Sequence, residues 1–236
     1  MTRVRKYVRL STKPPKYAVE IAAGLKKRYL DFDHYNLKDP LDELLFIMCS
    51  TKTEEASYRN SFRALKESFP THNAIAAADT VSIARAIVSG GLSNLKAKAI
   101  RNLLDAVVAR FGEPSLKSLR SMKEDEAEDF LMSLPGVGKK IARCVLMYSL
   151  GRNVFPVDTH CWRIARRLGW VRPTQKDGHC APRDMDRLQS KIPLKLRHSL
   201  HVNMVSLGRE ICTAIAPKCG KCPLVDWCPR IGVDRS

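Results

Sequence analysis

The sequence predicts an all-α protein. Apolar residues recur at helical spacing in segment after segment. Several of these segments open on a capping residue and close on glycine, and no stretch alternates apolar and polar residues convincingly as a strand. Asp39-Pro40 opens the first core helix. An N-cap acceptor is followed there by proline at the first helical position, where a missing N–H costs nothing, and "LDELLFIMCS" follows as a buried helix. The next runs from Thr53 to about Phe69, with Glu54 and Glu55 in its first turn, where carboxylates offset the helix dipole. "DTVSIARAIVSGG" starts at an Asp79 cap and stops at Gly90-Gly91, and "NLKAKAIRNLLDAVVARFG" ends at Gly112. Two further helices flank "LPGVGKK". "DTHCWRIARRLGW" opens on Asp158 or Thr159, and "RDMDRLQSKIP" and "LRHSLHVNMVSLGREIC" complete the set. Val171 to Pro182 reads as a surface loop from its Pro, Gly and polar content.

The chain has 236 residues, 44% of them hydrophobic, enough to pack one large domain or two small ones. Its longest apolar run, Leu44 to Cys49, is far short of the roughly 18–20 residues of a membrane helix, so no membrane association by a span is expected. The opening "MTRVRKYVRLSTKPPK" is basic and has no apolar h-region. It reads as a flexible basic arm rather than a secretory signal, with an organelle transit peptide as the other reading. Lys and Arg number 41 against 24 Asp and Glu, a formal net charge of +17 spread along the whole chain. Such an excess calls for a polyanionic partner, either nucleic acid or an anionic membrane surface. No heptad or exposed apolar stripe stands out, so a monomer is expected.

Half of the eight cysteines crowd into one short segment, as Cys212, Cys219, Cys222 and Cys228. Disulfides would imply an oxidising compartment, which nothing else in the sequence suggests. Paired cysteines at such spacing point to a metal, and both a tetrahedral zinc and a [4Fe–4S] cluster take four thiolates. Spacing alone does not choose between them. Lys218 and Lys221 flank Cys219, with Arg209 and Arg230 just outside. A metal-pinned loop carrying these cations makes a rigid phosphate-binding surface, unless the cations only offset the charge of the thiolates. Cys49, Cys144 and Cys161 sit in helical stretches and read as small buried apolar residues, and Cys180 is isolated as well.

In "LPGVGKKIARCVL", Gly136 and Gly138 permit a tight turn between helices with little side chain to block a backbone approach. The N–H groups at the start of the next helix then point outward, where a phosphate can sit. Lys139 and Lys140 follow at once. About twenty residues on, in "FPVDTHCWRIARRLGW", Asp158 stands at a helix start, where a carboxylate also serves simply as a cap.

Taken together, "LPGVGKKIA", "VDTH" and the Cys-x6-Cys-x2-Cys-x5-Cys tail resemble the endonuclease III family of the helix–hairpin–helix DNA glycosylases, in the same order from about Asp39 to Cys228. The resemblance, not the spacing, chooses iron: it implies a [4Fe–4S] cluster held by Cys212, Cys219, Cys222 and Cys228. It implies two helical lobes with a cleft between them. One is a six-helix bundle with the helix–hairpin–helix, over 39–152; the other joins 1–38 to 153–236 and carries the cluster. It also implies base-excision repair of double-stranded DNA containing damaged bases or abasic sites, in the cytoplasm or nucleoid, or in a nucleus or organelle. Lys140 matches the family's lysine and would attack C1′, displace the base and form a Schiff base, with β-elimination cutting the strand. Burial or neighbouring cations such as Lys139 would lower its pKa. Asp158 would stabilise positive charge developing on the sugar. Leu92 would be the apolar wedge filling the gap left by the extruded nucleotide, with Asn94 close to the opposite strand. Gly136, Val137, Gly138, Lys139, His160, Lys218 and Lys221 would complete the DNA contacts.

One position departs from the pattern. Where the family carries a glutamine that enters the DNA, "MCSTKTEE" offers Thr51 followed by Lys52. Oxidised pyrimidines are the default substrate that the resemblance implies. The adenine-removing relatives differ at the Lys140 position and carry a glutamate near the first core helix, where Glu43 falls too early to match. Two alternatives stand beside the lyase: a monofunctional glycosylase using water activated by Asp158, and a non-catalytic iron–sulfur DNA-binding module.

Overall fold

The computed structural model describes residues 13–175 and 178–233; most of the basic arm read from the N-terminal sequence lies outside them. Among the described residues there are eleven α-helices and no β-strand. They are α1 (Ala18–Tyr29), α2 (Pro40–Ser50), α3 (Glu55–Ser68), α4 (His72–Ala77), α5 (Thr80–Ala86), α6 (Ser93–Phe111), α7 (Glu124–Ser133), α8 (Lys139–Tyr148), α9 (Thr159–Arg167), α10 (Pro182–Lys191) and α11 (Arg197–Glu210). They fall into two compact units, one continuous over Tyr35–Arg152 and one that joins the residues up to His34 to those from Asn153 onward. No described helix is long and apolar enough to cross a membrane.

The continuous unit holds α2 to α8. Asp39 caps α2 as its sequence predicts, its carboxylate accepting from the N–H groups of Leu41 and Asp42. Every residue of α2 from Leu44 to Cys49 is buried, which is why the helix is apolar on all sides. α6 contacts both α2 and α5, and buries Ile100, Leu103, Leu104 and Val107, its three-and-four spaced face. Asp42 ties α2 to its neighbours by accepting from Lys66 of α3 at 2.9 Å and pairing with His72 of α4 at 2.7 Å. Glu43 is buried and accepts the N–H of Leu37 at 2.7 Å, a structural position.

Two sequence boundaries move. α3 begins at Glu55, not Thr53, because the Thr53 hydroxyl is taken up by the Gly90 carbonyl. The helix after Asp79 ends at Ala86 and passes into a 3-10 turn over Val88–Gly90. Helices α1 and α4 were not read from the sequence at all. The three-and-four spacing of Ala18, Ile21, Ala22 and Leu25, all buried, is the signal in the sequence for α1.

The second unit is built around α11, whose Leu200, Met204 and Leu207 are buried with Cys161, Ile164 and Ala165 of α9 and Ile21 and Leu25 of α1. α9 and α11 cross closely. A Cβ placed on Gly208 would stand 2.6 Å from the Cβ of His160, so only glycine fits. Asp31, accepting from Ser199 at 2.6 Å and from the buried Asn203 at 2.7 Å, fixes the end of α1 onto α11.

Candidate functional site

The helix–hairpin–helix is α7, the Leu134–Gly138 turn and α8. Val137 donates its N–H to Leu134 and buries its side chain, and Gly136 takes φ of 80°, a left-handed backbone that a side chain resists. Gly138 is the N-cap of α8 and supplies no side-chain acceptor. The first N–H groups of α8 have no acceptor within the helix itself. Apart from its chain neighbours, no described residue comes within 4 Å of the place a Cβ would take at Gly138, so this side of the turn is open to a close-approaching ligand.

Lys139 and Lys140 open α8 and do different things. Lys139 Nζ stands 3.4 Å from Glu128 of α7, which also pairs with the buried Arg143 at 3.3 Å. Lys139 thus helps clamp the two helices of the hairpin. Lys140, about 100° further round the helix, is half-buried.

Leu92 precedes α6 with φ of 53° and is 51% exposed, so it is not part of the core. Asn94 is exposed beside it. Leu95 and Val88 were missed in the sequence: they are 68% and 66% exposed, so three large apolar side chains face water within eight residues. The signal lay in "VSGGLSNL", whose apolar residues are too few and too close to glycine to belong to a core stripe. Thr51 and Lys52 are exposed at the end of α2, and Lys52 also has a left-handed φ of 52°.

In the second unit, Asp158 is the N-cap of α9, its Oδ1 accepting from Cys161 N–H at 2.7 Å. His160 is half-buried against Gly208, and its Nδ1 lies 3.0 Å from the Arg163 guanidinium. Burial pushes its pKa below the usual value, against the upward pull of Asp158, and Arg163 and Arg209 push the same way as burial.

Cys212, Cys219, Cys222 and Cys228 line one small cavity together with Arg167, Ile211, Pro217, Val225 and Arg230. The donor set fits a four-thiolate cluster. All four cysteines face the same cavity lining, the setting is half-buried, and the Arg167 guanidinium donates to Cys212 Sγ at 3.1 Å. Burial raises the pKa of the Cys222 and Cys228 thiols, and the neighbouring thiols add to it, so a cation is needed before these groups ionise together. Arg167 also donates to the carbonyls of Thr213 and Ala214, and Arg163, one turn back, donates to those of Cys212 and Gly208. Both were missed in the sequence. Their i, i+4 spacing in "WRIARR" was the only hint, and it does not say what they hold. Lys218 and Lys221, either side of Cys219, are exposed. Cys49, Cys144 and Cys161 are buried, as expected of apolar thiols.

Comparison with known proteins agrees with this arrangement. The family described as "HhH-GPD superfamily base excision DNA repair protein" matches residues 46–185, and the iron-sulfur binding domain of endonuclease III matches 212–228. An Arabidopsis thaliana protein named as a candidate DNA glycosylase is 35% identical over 81% of this chain, and the chain spans 65% of that relative's length. Endonuclease III of a Synechocystis strain is 31% identical over 90% of this chain and 91% of its own. The solved structure of a trapped endonuclease III–DNA covalent intermediate superposes with a TM-score of 0.74 at 26% identity, covering 91% of this chain and 93% of that one. The first match alone takes in more than half of the sequence and includes the whole hairpin, so the chain belongs to the HhH-GPD superfamily of base excision DNA repair proteins and, with its cysteine motif, to the endonuclease III family within it.

Proposed function

We propose that this protein is a bifunctional DNA glycosylase and abasic-site lyase acting on double-stranded DNA. The observation that carries this is Lys140, a half-buried amine in the first turn of α8 immediately behind the open glycine turn. In this reading the turn's N–H groups grip a backbone phosphate. The unprotonated Lys140 amine attacks C1′ of the extruded nucleotide and gives up its proton. The base leaves with the electron pair of the broken C1′–N bond and takes up a proton. The sugar ring then opens: the C1′–O4′ bond breaks, O4′ takes up a proton, and the lysine nitrogen's electron pair forms the iminium, which makes a C2′ proton acidic; its removal expels the 3′ phosphate, and water then releases the lysine. Asp158 faces the positive charge that develops on the sugar. Leu92 enters the gap, where an apolar wedge holds the kink once the nucleotide leaves the stack. The cluster segment, with Lys218 and Lys221, contacts backbone phosphates. A relative whose structure is named as a trapped covalent intermediate supports the Schiff-base route. Oxidised pyrimidines are the default substrates; Thr51 carries no side-chain amide to read the opposite strand. The protein acts as a monomer.

Borohydride trapping on a duplex with one abasic site tests this. Wild type and Lys139→Ala give a covalent adduct, and Lys140→Ala gives none. No adduct with wild type, despite tight binding, overturns the lyase and leaves the monofunctional enzyme or the non-catalytic DNA-binding module.

A further inference from the structure

Lys96, in the first two turns of α6, is only 6% exposed. Its ammonium donates to three acceptors: the carbonyls of Cys49 at 2.7 Å and Gly90 at 3.0 Å, and the hydroxyl of Thr53 at 2.5 Å. The Thr53 hydroxyl in turn reaches the Gly90 carbonyl at 2.7 Å. No carboxylate stands among these partners, and burial pushes the lysine's pKa down. A lone ammonium is costly to bury, so three well-placed oxygens must compensate it. Cys49 O is one of the last carbonyls of α2, where a cation also meets the negative end of the helix dipole.

What the network joins is specific. One side is the exit from α2, Thr51 to Thr53, with Lys52 held left-handed and exposed. The other is Gly90 to Leu92, with Leu92 held left-handed and exposed. The Ser61 hydroxyl of α3, 3.0 Å from that of Ser89, braces the second segment from behind. We propose that Lys96 is a positioning residue that couples these two segments, so that the Lys52 and Leu92 tips enter the duplex as one rigid clamp and lesion extrusion requires both. This rests on the reading of Leu92 as the wedge. It assigns to Lys96 a role apart from Lys140: it touches neither substrate nor phosphate and acts through the segments it holds.

The test is a duplex carrying a stable abasic analogue with 2-aminopurine opposite, whose fluorescence rises when the base is unstacked. Lys96→Met removes the ammonium at nearly constant volume, and Thr53→Val removes the hydroxyl at constant shape should the first variant fold poorly. Binding to undamaged duplex is followed separately by anisotropy, and folding by thermal melting. The expected result is a fluorescence rise cut at least about fivefold in both variants, with the affinity for undamaged duplex within about twofold of wild type. A full rise in either folded variant overturns the coupling. Leu92→Ala, measured in parallel, separates the two ideas. An unchanged rise there overturns the wedge reading, whereas a lost rise in Leu92→Ala beside an intact one in Lys96→Met overturns only the role of Lys96.

Discussion

At the scale of single residues, polar groups in this protein are placed by what they can donate or accept rather than by charge alone. Arg167 distributes its guanidinium over one sulfur and two carbonyls, a fork that lysine cannot reproduce. His160 shows the opposite constraint. It is packed against Gly208 with Arg163 at its Nδ1, so the imidazolium is disfavoured. Its folded pKa lies below the unfolded value of about 6.5, so the unfolded chain binds the extra proton first. The stability contributed by neutral His160 is complete above that pH and is lost as pH falls through it towards the folded pKa. Wild type should therefore lose its thermal stability advantage over His160→Gln between about pH 7.5 and pH 5.5. Melting curves at the two pH values check this; a constant difference contradicts it.

At the scale of elements, close crossings and end-caps decide how much each helix can vary. α9 and α11 approach until there is no room for a methyl group at Gly208. Gly208→Ala should therefore cost about 1–3 kcal/mol despite alanine's better helix propensity, because overpacking outweighs it. A lowered melting temperature checks the sign, and a rise would mean that α9 can shift. The hairpin follows similar logic. α7 and α8 are clamped by Glu128 between Lys139 and Arg143, so the turn between them is held in place. The sequence showed the lysine pair but not which lysine serves the scaffold, because Glu128 lies eleven residues upstream of Lys139 on a different helix.

At the scale of the whole molecule, the charge of +17 sets the character of the DNA binding that the proposed function requires. Each phosphate neutralised releases counterions, so affinity for undamaged duplex should fall at least about tenfold between 50 and 200 mM salt. Anisotropy titrations at the two salts measure it, and a flat response would rule out phosphate contact as the main source of affinity.

The sequence by itself determined the helical class, most helix starts and stops, the cysteine motif and the pairing of the glycine turn with Lys140. Caps, glycine stops and thiol spacing are local, and local chemistry is written within a few residues. Tertiary structure alone decided that Thr53 leaves its helix, that Arg163 and Arg167 hold the cluster segment, and that Leu95 and Val88 face water. It also decided that Lys96 is buried between two segments 37 residues apart at Thr53 and Gly90. A lysine written among alternating lysines and alanines in "LKAKAI" reads as solvated surface. Only the positions of three oxygens outside the helix make its burial tolerable, two of them more than forty residues away, and no pattern within the helix encodes them.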